Sequence, residues 1–219
     1  TTGYLNMASN ADFGFGAVSG TDGDFTIETW IYADASNTSD FVIFDGRTAA
    51  ANALVPLLER KSNYLKYTVN GVVKITDAAV LPTDAWTHIA VERSGAYTHL
   101  FVGGVRKGSF TDSTTYATCP FRVGASSAST AADFFKGKMD DFRISKRARY
   151  PVTTTMSGAG TSTDSNWANV VFLVTGDETV DGSTFTSSDS TGHTCTLVGD
   201  AAKTSSGKFG SAFTFDGTG

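Results

Sequence analysis

Glutamate is scarce in this chain of 219 residues, with only four against 18 aspartates. Cysteine occurs twice, proline four times and histidine three times, and charged residues make up 18% of the total. Each shortage excludes something. A chain poor in Glu, with 32 Thr and 22 Ser, is badly suited to helices, because Ser, Thr and Asp compete for helical hydrogen bonds and β-branched residues favour pleated surfaces. Cys119 and Cys195 are too far apart for a metal or redox spacing and read as unpaired, strand-borne apolar residues. Seventeen basic residues against 22 acidic ones give a net charge of −5, which leaves no electrostatic footprint for nucleic acid at the level of the whole chain. Neither end carries a basic-then-apolar signal, and no apolar run approaches the roughly 20 residues that cross a bilayer, so membrane insertion is not expected. The sequence begins at Thr1 rather than Met, as a processed chain or a segment of a longer one does.

What is present is β-signal. Phe25 to Tyr32 alternates, with Phe25, Ile27 and Ile31 on one face and Glu28, Trp30 and Tyr32 on the other. Short strands follow at Phe41 to Phe44 and Leu54 to Glu59. Tyr64 to Val69 and Val72 to Thr76 flank Asn70-Gly71, the pair that a two-residue type I′ hairpin requires. Trp86 to Arg93, Tyr97 to Val102 and Val105 to Phe110 form a predicted meander, and further strands are predicted at Phe121 to Gly124 and Gly137 to Ser145. Residues 151–166 have no periodic apolar face and read as a linker. Beyond it, Val170 to Val174, Thr194 to Val198 and Phe209 to Phe215 read as strands. The predicted organisation is 1–150 as the main part of a sandwich, with 167–219 completing the same sandwich or that of a neighbouring copy.

Four strings then occur in order: Gly-Asp-Phe-Thr-Ile-Glu-Thr-Trp-Ile-Tyr from Gly23, Trp-Thr-His-Ile-Ala-Val-Glu-Arg from Trp86, Leu-Phe-Val-Gly-Gly from Leu100, and Phe-Lys-Gly-Lys-Met-Asp-Asp-Phe-Arg-Ile-Ser from Phe135. This order resembles the laminin G-like branch of the concanavalin A-like lectin/glucanase superfamily. The resemblance implies an all-β, antiparallel, two-sheet jelly-roll sandwich. In that family the Phe-Asp-Gly string runs on into Tyr-Leu or Tyr-Val. Here Phe215-Asp216-Gly217 lies at the C-terminus and Gly3-Tyr4-Leu5 at the N-terminus, so the order is expected to be permuted, or the chain to be one period of a tandem array read out of phase.

Chemistry is thin. Glu28 and Glu92 are isolated, and Asp140 and Asp141 are adjacent, so on a regular strand they point to opposite faces. No pair suits the two carboxylates of glycoside hydrolysis. His88, His99 and His193 show no evident base partner, and no Gly-x-Ser-x-Gly elbow is present. The chain is not expected to be an enzyme. Members of the resembling family often hold Ca²⁺, which the resemblance places at Asp140 or Asp141 with Asp216 as a further ligand. Arg143, Lys146, Arg147 and Arg149 form the only local basic cluster. Trp30 and Trp86 are expected in the core, with Tyr4, Tyr97, Tyr116 and Trp167 freer to be exposed. Asn37-Thr38-Ser39 is a lone glycosylation triplet. Similar laminin G-like domains occur in phage tail fibres and capsid decorations. The expected role is therefore a non-enzymatic structural or attachment protein of a virion or extracellular fibre, contacting identical copies or other structural proteins. The alternative is a carbohydrate-binding lectin module for surface glycans, with or without calcium.

Overall fold

A computed structural model describes residues 3–16, 23–48, 53–127, 132–150 and 164–218. Its strands, numbered in chain order, form two antiparallel sheets. From edge to edge the first contains β13 (Thr184–Thr186), β14 (Thr194–Val198), β1 (Tyr4–Asn10), β10 (Cys119–Val123), β3 (Phe41–Asp45), β4 (Pro56–Lys61), β5 (Tyr64–Val69) and β6 (Val72–Val80). The second contains β15 (Ala202–Thr204), β16 (Ala212–Asp216), β11 (Lys136–Ser145), β2 (Phe25–Ala33), β7 (Trp86–Ser94), β8 (Tyr97–Val102) and β9 (Val105–Thr111), with β12 (Val170–Val174) also paired to β11. β11 is long enough to hold β16 along its first half and β12 along its second. Across the other sheet, β14 pairs with β1, Tyr4 facing Val198.

The inward residues are those the alternation picks out. Phe25, Ile27 and Ile31 of β2 meet Ile89 and Val91 of β7 and Phe121 and Val123 of β10 in one apolar core. Phenylalanines carry much of it. Phe13, supplied by a short 3₁₀ turn that the Asn10 side chain caps, sets its ring edge-to-face with Phe121 at 5.3 Å and with Phe172 of β12 at 5.6 Å. Phe172 thereby packs residues of the C-terminal third against those of the first strand region. Both cysteines are buried and unpaired, and burial pushes the Cys119 thiol up to about 12.

Turn chemistry also holds. Asn70 and Gly71 both have positive φ, 52° and 70°, as a type I′ hairpin between β5 and β6 demands. Gly137 is a different case: at φ 141° a Cβ there would stand 2.1 Å from the Tyr32 carbonyl oxygen, so close strand approach at the start of β11 admits no side chain.

Several expectations are corrected. Tyr116 is buried, its hydroxyl bonded to Tyr67 and to Asp112, because a phenol that fills a core needs polar partners brought with it. Tyr97 is 52% exposed, as expected. The predicted strands at Leu54, Val72 and Phe209 have bounds shifted to Pro56–Lys61, Val72–Val80 and Ala212–Asp216. Of the predicted linker, residues 151–163 lie outside the described residues, whereas Asp164 is fastened to the second sheet through Arg143 and Arg149.

Candidate functional site

β2 is buried on both faces. Its outward side chains would ordinarily meet water, but the chain after β11 folds back over them. Thr26 Oγ1 donates to the Arg147 carbonyl, and the backbone N–H groups of Arg149 and Tyr150 both donate to Glu92 Oε2, at 2.5 and 2.7 Å. Tyr150 packs on Ala90 and Phe101. Beneath this cover Glu28 is wholly enclosed. Its Oε1 accepts from Arg143 at 2.8 Å and lies 3.3 Å from Arg149 Nε, while its Oε2 takes His88 Nε2 at 3.1 Å and the Tyr150 hydroxyl. Burial alone would raise its pKa; the Arg143 charge, the His88 contacts and the Tyr150 hydroxyl overcome burial and hold Glu28 at about 2. Glu92 goes the other way, raised mainly by burial.

The two glutamates that looked isolated are therefore the centre of a sealed polar layer, and His88, which the sequence leaves without a base, has one. His193 also lies beside carboxylates, 3.3 Å from Asp12 and 3.4 Å from Asp189. His99 sits opposite Glu92 in the β7–β8 register, away from His88. The basic cluster divides as well: Arg143 and Arg149 turn inward to Glu28 and Asp164, and Lys146 faces Asp12 at 3.6 Å. Lys146 and Arg147 remain at the surface.

Where the cover ends, the same sheet face opens into a groove of about 540 Å³ lined by Trp30, Trp86 and His88, by Asp77 and Val80 of β6, and by Lys107 and Lys208 among others. Trp30 and Trp86 are thus on the outward face rather than in the core. The period-two alternation that puts Ile31 inside puts Trp30 outside, and Trp30 is only 9% exposed because Lys208 and Phe209 lie on it. Trp86 is half-buried, its ring 5.8 Å from that of Tyr32 in an edge contact at 65°. Two buried polar atoms of the lining, Trp30 Nε1 and His88 Nδ1, have no hydrogen-bond partner. Flat rings beside lysine ammonium groups suit a ligand with polar substituents and an apolar face.

The expected metal residues separate. Asp140 and Asp141 lie at a β-bulge in β11, where Asp141 takes φ 50°; the extra residue cancels the simple opposite-face rule and turns both carboxylates into the protein. Asp140 Oδ2 accepts from the backbone N–H groups of Lys208 and Phe209, at 2.7 and 2.9 Å, while Asp140 Oδ1 and both oxygens of Asp141 are unpartnered. Burial pushes Asp140 up to about 6, and burial with the Asp140 charge pushes Asp141 up to about 8. Asp216 is at the far end of β16 opposite Lys136, bonded to Thr218, in a separate pocket of about 360 Å³ with Asn37, Asp40 and Asp133. Among the described residues no three His, Cys, Asp or Glu side chains gather where one ion would need them. Unpartnered buried oxygens at Asp140 and Asp141 nevertheless suit a hard cation completed by backbone carbonyls; Asp216 does not share that place.

Two facing antiparallel sheets with a sealed ionic layer and an aromatic groove on one outward face define a lectin-like β-sandwich. The chain belongs to the concanavalin A-like lectin/glucanases superfamily, whose laminin G-like family model matches residues 5–153. Among solved structures it is similar to a candidate carbohydrate-binding protein from Bacteroides ovatus ATCC 8483, with 15% identity and a TM-score of 0.66 over 91% of this chain and 56% of that one. It is also similar to a heptameric pentraxin from Limulus polyphemus, with 15% identity and a TM-score of 0.50 over 68% of this chain and 72% of that one. The chain thus spans little more than half the length of the Bacteroides ovatus protein. At this identity the likeness is one of fold. No curated protein matches the chain. No helix among the described residues is long and apolar enough to cross a membrane.

Proposed function

We propose that this chain is a non-enzymatic glycan-binding module that uses the groove beside Trp30 and Trp86. The observation that carries the reading is the division of labour on one sheet face. Glu28 and Glu92, on the same sheet face, are spent on arginines and backbone N–H groups, and Asp77, the carboxylate of the groove lining, is held by the Ala79 N–H and faces Lys107, so none is paired with a second free carboxylate as glycoside cleavage needs. The open part keeps flat rings and two lysines instead. The resemblance in fold to a candidate carbohydrate-binding protein supports the same reading, and an extracellular or surface setting is part of the proposal. A calcium ion at Asp140 and Asp141 belongs to it too, one residue contact away from the groove through Lys208. The test is an array of neutral and acidic oligosaccharides followed by titration of the bound one. Trp86→Ala is expected to weaken binding about fivefold, in line with about 1 kcal/mol for a lost stacking ring. A blank array removes the proposal.

A second reading is favoured by one specific feature. Val72 (53% exposed), Val73 (46%) and Val105 (56%) place apolar side chains on β6 and β9, the edge strands of the two sheets, which contact each other. Unpaired edges with apolar residues support assembly with identical copies, as an attachment or structural protein of a fibre or virus particle needs. Size-exclusion chromatography with light scattering is expected to show a discrete oligomer that Val72→Lys with Val105→Lys reduces to monomer. A strict monomer at high concentration excludes this reading and leaves the first intact.

A further inference from the structure

Resting on the glycan-binding reading of the groove, we propose that its ligand is an anionic saccharide. The chain as a whole is acidic, at −5, yet the charge gathered around the groove is positive. Lys208 holds its ammonium 4.6 Å from the centroid of the Trp30 ring, and Lys138 holds its own 5.2 Å from that of Tyr32, whose ring abuts Trp86. Neither lysine has an acidic partner among the described residues; each rests on an aromatic face, a contact that orients an ammonium without neutralising it. Lys107 is the third cation.

Of the acids nearby, Asp77 and Glu28 are already engaged, while Asp140 and Asp141 are buried behind the Lys208 backbone and keep unpartnered oxygens. Asp77, a carboxylate of the groove lining, accepts from the Ala79 N–H at 3.0 Å and faces Lys107 at 3.8 Å. Glu28 lies behind His88, enclosed by two guanidinium groups. An incoming carboxylate or sulfate therefore meets the uncommitted Lys208 ammonium and the Lys107 ammonium that it would share with Asp77, with Lys138 beyond the lining on the Tyr32 ring.

The aromatic side chains fit the same ligand. Trp86, half-buried at the groove, presents its ring to the apolar face of the pyranose. Cation and ring together describe one residue of an acidic sugar, and the volume of about 540 Å³ leaves space for its neighbours in the chain.

The experiment uses the full chain and three size-matched probes in calorimetric titrations: a trigalacturonate for carboxylates, a heparin-derived tetrasaccharide for sulfates, and cellotriose as the neutral control. At least one acidic probe is expected to bind while cellotriose does not, and the acidic probe that binds identifies carboxylate or sulfate as the source. Lys208→Gln and Lys138→Gln are each expected to lower affinity about three- to fivefold, as exposed charge pairs do, and raising the salt tenfold to weaken binding further. Both lysines are at the surface or half-buried, so unchanged melting curves verify that the variants are folded. Cellotriose bound as tightly as either acid, or lysine variants that bind an acid like the parent, overturns the anionic inference and leaves glycan binding standing. If no probe binds and the array is blank, both fall.

Discussion

Replacing Glu28 with alanine lowers the unfolding free energy by about 3–5 kcal/mol, equivalent to roughly 10 °C in melting temperature for a chain of this size. The cost does not come from a lost surface ion pair. It comes from what remains: the Arg143 and Arg149 guanidinium groups, both turned into the protein, with the anion between them gone, and the Tyr150 hydroxyl and His88 Nε2 without their acceptor. The same residue shapes the acid limb of stability. Its pKa falls from the ordinary 4.5 to about 2 in the folded protein. A depressed carboxylate contributes fully above its unfolded value and loses that contribution as pH falls through the folded one. Each tenfold change in acidity is worth about 1.4 kcal/mol, so the contribution of Glu28 is about 3 kcal/mol, lost between pH 4.5 and about 2. Chemical unfolding of the parent across this window tests the point even if the alanine variant does not fold. An alanine variant as stable as the parent, with the same acid limb, would show that the layer is not held by this anion.

The sandwich was legible because its signals are local. Alternation in Phe25 to Tyr32 and Trp86 to Arg93, the positive-φ demand of Asn70-Gly71, and the ordered strings from Gly23 to Ser145 all lie within a few residues of the structure they cause. Burial on the second face was not legible, since the segment that covers Glu28 and Glu92 comes from Arg147 to Tyr150 and from Asp164, more than 50 positions away from both. The expectation of Trp30 and Trp86 in the core rests on their places in the strings from Gly23 and Trp86, whereas the alternation rule already puts Trp30 on the face opposite Ile31. The partner of His88 was hidden for another reason. Glu28 is 60 positions upstream, and only the β2–β7 register, which aligns Trp30 with His88, brings the imidazole beside it. At Asp140 and Asp141 a single inserted residue defeats parity altogether: no composition or spacing announces the bulge, and it turns a simple strand rule into two enclosed carboxylates.

Those carboxylates set the second large effect. In a chelator at neutral pH, Asp141→Asn is expected to unfold about 5 °C above the parent, corresponding to about 2 kcal/mol in a domain of this length. Asp141 is fully buried and neither of its oxygens has a hydrogen-bond partner. Folding must therefore strip water from a charged group or neutralise it, and either costs more than burying the amide that replaces it. Asparagine accepts the φ of 50° that this position requires, so the substitution alters charge without straining the bulge. Added calcium then separates two explanations for keeping the aspartate. If the ion is held by Asp140 and Asp141, calcium raises the melting temperature of the parent in proportion to its concentration over the dissociation constant, leaves the asparagine variant where it was, and reverses the order of the two. If calcium moves neither protein, the metal proposal is removed and the stability difference in chelator stands alone. A variant that melts below the parent in chelator would mean that Asp141 has partners the fold supplies in some other way, and that its carboxylate stabilises the bulge it occupies.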